Sequence, residues 1–145
     1  MTVPERTRTL RWIVIALGIF IFVWLGREDS DVLGVTVLGC FASLLSITLW
    51  VNHHFGGQQF KLRTIQLALP LLGLAIGLGT SFITVALMTF KNVRHAHAFP
   101  DYPWKLIDEI IARAPIWGLA GVLFGVALGL SWQAFNLNQP IQSDP

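Results

Sequence analysis

Residues 65–90 of the chain read IQLALPLLGLAIGLGTSFITVALMTF and contain no charged side chain. Wound as an α-helix, a run of this length extends about 39 Å, which exceeds the roughly 30 Å hydrocarbon core of a bilayer. A segment this long and this apolar is typical of a transmembrane helix. The alternative, a buried helix of a soluble protein, would require a polar face, and this run has none.

Three further apolar runs accompany it, at residues 10–26, 32–51 and 114–135. The first is the shortest and resembles the hydrophobic region of a signal peptide, but the residues that follow it offer no small-residue cleavage motif. Only 12% of all residues are charged, against about 25% in soluble domains. We therefore predict an all-α membrane protein with four transmembrane helices, forming one integral membrane domain over residues 1–145.

Five of the six tryptophans support these boundaries, because each lies near the end of a predicted span. Indole rings prefer the headgroup level of a bilayer, where the ring is half in water and half in lipid. The five are Trp12, Trp24, Trp50, Trp117 and Trp132.

Residues 102–114, between the third and fourth runs, have a different pattern. At 100° per residue their apolar side chains fall on one arc and their charged side chains on the other. The apolar arc holds Trp104, Leu106, Ile107, Ile110, Ile111 and Ala114, and the charged arc Lys105, Asp108, Glu109 and Arg113. This predicts an amphipathic interfacial helix, capped by Asp101, that lies either on lipid or on a partner protein.

Basic residues in the connections indicate the orientation of the chain, since cytoplasmic loops are enriched in lysine and arginine. The N-terminal side carries Arg6, Arg8, Arg11, Lys61 and Arg63, and the opposite side Arg27, Lys91, Arg94, Lys105 and Arg113. The count is five on each side. Because the first helix usually dominates, we expect both termini in the cytoplasm, in a prokaryotic inner membrane; inverted or dual insertion are the alternatives.

Glycines recur at four-residue spacing in the last two runs, in the manner of a glycine zipper. The set comprises Gly73 and Gly77 in the third run and Gly118, Gly121, Gly125 and Gly129 in the fourth. Small residues allow helix backbones to approach closely, which is how helices associate in lipid. The glycines predict a packing face, either between helices of one chain or between subunits.

The predicted spans contain no acidic, basic or histidine side chain within their depth. Proton-coupled transporters, voltage sensors and bis-histidine cytochromes depend on such residues, so these classes are disfavoured and no cofactor is expected. One cysteine, Cys40, excludes a thiol–disulfide pair. A net charge of +2 from scattered basic residues does not indicate nucleic acid.

Histidines are the only set that suggests chemistry, as His53-His54 and as His95-Ala-His97. Paired histidines bind divalent metals, and His95 with His97 is the better placed pair, beside Asp101. The two pairs follow successive spans and so face opposite sides of the membrane. No catalytic signature accompanies either pair, and we do not expect an enzyme.

Three functions remain from these observations. The first is a non-enzymatic accessory or scaffold subunit of a larger membrane complex, or a homo-oligomer, which docks through the glycines and the loop after residue 90. The second is metal handling by His95 and His97. The third is a passive pore for small solutes, lined by the hydroxyl side chains of the second and third spans. The expected partners are the lipid bilayer and other membrane subunits or further copies of the chain.

Overall fold

The computed structural model describes residues 8–27, 30–95 and 99–137. They form five α-helices, which confirms the all-α prediction: α1 (Arg8–Trp24), α2 (Val32–Phe55), α3 (Leu62–His95), α4 (Trp104–Ala112) and α5 (Ala114–Leu137). The predicted amphipathic helix is α4, and Pro115 lies in the first turn of α5, where the absence of an N–H does no harm.

Within the described residues, three segments are long and apolar enough to cross a membrane: α2, most of α3, and the α4–α5 segment Trp104–Phe135. The chain is therefore compatible with a small membrane protein that has three such helices. α1 has 17 residues, about 26 Å of helix, and falls short of the 30 Å hydrocarbon core. A fourth span formed by α1 stays a prediction.

Two helix ends lie beyond the sequence boundaries. α3 continues five residues past Phe90, so the expectation that a loop begins at Lys91 is wrong; no helix breaker occurs before His95. α2 continues to Phe55 and ends at Gly56-Gly57, where Gly57 has a φ of 77°. That left-handed conformation suits glycine and turns the chain toward α3.

α3 is the central helix, and α5 packs along it through the predicted glycines. A Cβ atom built on Gly73 would overlap the carbonyl oxygen of Gly121, and one built on Gly121 would overlap that of Gly73. Gly77 and Gly125 are equally close to the backbone of the facing helix. The two backbones therefore touch, which only glycine permits here.

α2 packs on α3 through a second, polar contact. Gly39 lies directly against Thr84, and Gly79 against Ser43, whose hydroxyl donates to the carbonyl oxygen of Ile76 at 2.9 Å. These residues alternate small and hydroxylated side chains across the contact, an arrangement suited to helix association in lipid.

The buried apolar core lies at one end of the helices, where α1, the start of α2, the end of α3 and α4 converge. Its members are Trp24, Leu25, Val35, Leu38, Met88, Tyr102, Ile107 and Ile110. α4 buries Ile107 and Ile110 against its own chain, so the predicted apolar arc rests at its centre on neither lipid nor a partner. Trp104 and Ile111, at one edge of the arc, remain exposed.

Candidate functional site at the α3–α4 corner

The last turns of α3 carry a stripe of side chains that changes from apolar to polar. Thr84, Met88, Lys91, Asn92 and His95 follow helical spacing and share one face. Thr84, Met88 and Lys91 are completely buried. The stripe meets the end of α1 and the segment before α4, and it brings together what we call the corner cluster: Trp24, Asp31, Lys91, Asn92, His95, Asp101 and Tyr102.

Lys91 has an exposure of 0%, which is rare for a lysine. Its ammonium nitrogen lies 4.4 Å from the ring centroid of Trp24 and 5.6 Å from that of Tyr102. Both distances fall within the range of about 6 Å for cation–π attraction, which is stronger away from water. The lysine thus connects the end of α1 to α3 and to the segment before α4.

Asn92 holds the backbone of Tyr102 from both sides. Its side-chain Nδ2 donates to the Tyr102 carbonyl oxygen at 2.8 Å, and its Oδ1 accepts from the Tyr102 N–H at 2.9 Å. One side-chain amide therefore satisfies both the backbone N–H and the backbone carbonyl of Tyr102. This residue is buried and lies outside any helix, so no helix or sheet hydrogen bond is available to it. The pairing fixes Tyr102 against α3.

The hydroxyl of Tyr102 lies 3.4 Å from the backbone oxygen of Asp31, a long contact. The side chain of Asp31 caps α2, accepting from the N–H groups of Leu33 and Gly34 at 3.0 Å each. A carboxylate at this position also interacts favourably with the positive end of the helix dipole. The start of α2 is thus fixed next to the ring that faces Lys91.

His95 donates its Nδ1–H to the carboxylate of Asp101 at 2.5 Å, and both side chains are mostly buried, at 13% and 15% exposure. Asp101 is therefore not the cap of α4: Pro103 occupies that position, without a side-chain bond. The sequence pattern misassigned Asp101 because an aspartate just before a helix looks the same in the sequence whether its side chain caps that helix or binds a distant histidine.

A histidine oriented by a carboxylate is suited to metal ligation or to proton transfer. Among the described residues, however, no group of three or more histidine, cysteine, aspartate or glutamate side chains lies together. His97 falls outside the described residues, so the metal site of His95 and His97 stays a prediction. His53 and His54 lie at the far end of α2, where the His54 ring contacts the carbonyl oxygen of Trp50.

The hydroxyl side chains proposed to line a pore fall into two groups. Ser43, Thr80, Ser81 and Thr84 are buried in the α2–α3 contact or beside it. Other hydroxyls donate to carbonyl oxygens one turn back in their own helix, those of Thr36, Ser46 and Thr48. Such bonds satisfy the hydroxyl donors within their own helix. The passive pore stays a prediction.

The predicted packing glycines differ in how closely they approach the facing helix. Gly73, Gly77, Gly121 and Gly125 lie in the α3–α5 contact, whereas Gly118 faces the side chains of Leu74 and Leu78. A Cβ atom on Gly129 would make only ordinary van der Waals contacts, with Leu69 at 3.7 Å and Gln66 at 4.0 Å.

Sequence reasoning missed the roles of Lys91 and Asn92, which it assigned to a loop, and of Tyr102, which it placed at the start of the amphipathic helix. It also missed the pair Gln66–Gln133, joined across α3 and α5 at 2.7 Å. The only signal available was the helical spacing of Met88, Lys91 and His95, which would have continued α3 past Phe90.

Around the corner cluster, two aromatic side chains point away from the protein. Phe99 is 86% exposed and Trp104 is 59% exposed. They flank Asp101 and Tyr102, which are bound by His95 and Asn92 of α3.

Comparison with protein-family models, with curated proteins and with solved structures gives no match to this chain.

Proposed function

We propose that this chain is a non-enzymatic membrane subunit that presents the α3–α4 corner to a partner protein at the membrane surface. The proposal rests on one observation: polar contacts fix the segment before α4, while Phe99 and Trp104 extend from it into solvent or lipid headgroups. Large aromatic side chains on a backbone that is already ordered are favourable binding anchors, because little entropy is lost when they are buried.

The charged face of α4 surrounds these aromatic side chains. Lys105, Asp108 and Glu109 are exposed, and Arg113 lies 3.9 Å from Glu109. A partly charged rim around aromatic anchors is typical of non-obligate interfaces, in which the rim sets specificity and the centre gives affinity. The glycines of α3 and α5 are occupied within the chain, so the docking surface we favour is this corner.

The test is site-specific photo-crosslinking in native membranes, with the probe placed at Phe99 or at Trp104. The matched controls are probes at Phe82 and Leu123, which are similarly exposed but lie in the middle of α3 and α5. We expect a discrete protein adduct from the first two positions and none from the controls.

Blue-native electrophoresis of the gently solubilised protein complements this test. A double variant, Phe99→Ala with Trp104→Ala, should release the partner and shift the complex to the mass of the lone chain. Adducts to lipid alone from both corner positions, together with a wild-type protein that runs as a monomer, would contradict the proposal. An adduct to a second copy would identify the partner as the chain itself.

A further inference from the structure

A half-open groove runs between α2 and α5, with α3 as its floor. Both helices pack on α3, and within the described residues they do not contact each other, so a gap is left between them. Its volume is about 250 Å³. The lining is apolar apart from two residues, Thr48 and Asn52, and its glycines are Gly73 and Gly125.

Backbone forms part of the floor of the groove, at Gly73 and Gly125. At both positions α3 and α5 are in backbone contact, with no space for a Cβ atom, so α5 is held closely on α3 beside the groove. In a bilayer the groove therefore presents a concave apolar surface to lipid.

One end of the groove is polar and the region next to it is basic. Thr48 and Asn52 lie toward the end of α2, and the exposed His53 and His54 follow directly. At the start of α3, on the same end, Lys61 and Arg63 are exposed. The sequence contains no aspartate or glutamate from Val32 to Pro100, so neither helix supplies an acid to neutralise them.

The shape and the charge of the groove indicate its occupant. A hydrocarbon chain is narrow and flexible enough to lie in such a space. Basic side chains at the end of an intramembrane groove add affinity for an anionic headgroup, about 1 kcal/mol for each lysine or arginine.

We propose that the groove is a binding site for an anionic phospholipid. One acyl chain lies along α3 between α2 and α5, and the phosphate lies near Lys61 and Arg63. The site is at the opposite end of the helices from the α3–α4 corner and does not depend on the proposed partner interaction.

The test is native mass spectrometry of the full chain released from nanodiscs that contain equal amounts of phosphatidylglycerol and phosphatidylcholine. Wild type should retain one phosphatidylglycerol molecule in preference to phosphatidylcholine. The variant Lys61→Gln with Arg63→Gln should lower that preference about 30-fold. Its control, Lys105→Gln with Arg113→Gln, removes two exposed charges at the other end and should leave the preference unchanged.

A second pair of variants tests the groove itself. Thr48→Phe fills it, while Ser46→Phe places the same ring on an exposed face of α2; each removes one hydroxyl bond to its own helix. Thr48→Phe should abolish retention of the lipid and Ser46→Phe should not. Equal retention of both phospholipids by wild type would overturn the proposal. So would normal retention of lipid by Thr48→Phe. A change in the oligomeric mass of Thr48→Phe would also overturn it, because the groove would then be occupied by a second copy of the chain. If Thr48→Phe fails to fold, the charge variants decide.

Discussion

Lys91 and Asn92 are adjacent in the sequence and connect different parts of the molecule. Lys91 faces the rings of Trp24 and Tyr102, while Asn92 binds the backbone of Tyr102. A tryptophan near the end of a predicted span is expected at the lipid headgroups, and Trp12 and Trp50 are indeed exposed. Trp24 is buried instead, because the lysine that covers it comes from a helix 67 positions further along the chain.

Asn92→Ala is expected to loosen the segment before α4 while the helices stay folded. It removes two hydrogen bonds and leaves two backbone groups of a buried residue without partners, a loss of about 2 kcal/mol. When the segment opens and closes faster than the protease cuts, the cleavage rate follows the population of the open form. Limited proteolysis between residues 95 and 104 should therefore accelerate by roughly 30-fold. The neighbouring Val93→Ala, an exposed position, is the control; equal cleavage of the two variants would show that Asn92 does not hold this segment.

At the scale of helices, the sequence predicted well which segments are helical. It predicted less well which residues of those helices are in contact. Run length and apolar content predicted α2, α3 and α5, and the 100° pattern predicted α4. The glycine spacing predicted close packing but could not tell which glycine is in contact, since Gly125 and Gly129 have the same spacing and similar neighbours. Gly129 lies near the end of α5, where Gln133 bonds Gln66 and the backbones are no longer as close.

Gly121→Ala is expected to destabilise the α3–α5 contact, by about 1–3 kcal/mol, because the new methyl group overlaps backbone that has no rotamer to move. Gly129→Ala is expected to be neutral or stabilising by up to about 1 kcal/mol, since alanine is the better helix former and its methyl group would make only ordinary van der Waals contacts with Leu69 and Gln66. Unfolding in mixed detergent micelles, followed by tryptophan fluorescence, measures both. Equal stability of the two variants would mean that α3 and α5 are further apart than described.

At the scale of the whole molecule, charge separates the two ends more clearly than the count of basic residues does. With α1 crossing the membrane as predicted, the sequence assigns five basic residues to each side, but two acids, Glu5 and Asp144, to the side of the α2–α3 turn and six to the other. The net charges of the two sides are therefore +3 and −1, which together give the chain's +2. Lys91 is moreover enclosed by Trp24 and Tyr102 in the folded protein.

Because the first helix usually dominates the orientation and Lys91 is buried on the opposite side, we expect the side of the α2–α3 turn to face the cytoplasm, and α1 to cross the membrane. Three single-cysteine reporters in a Cys40→Ser background test this: Thr9→Cys, Gln58→Cys and Lys105→Cys, all at exposed positions. An impermeant maleimide applied to intact cells should label Lys105→Cys alone, and permeabilisation should expose the other two. Labelling of Gln58→Cys from outside would invert the orientation. Labelling of Thr9→Cys together with Lys105→Cys would instead show that α1 does not span. The start of α1 and the start of α2 would then lie on the same side of the membrane.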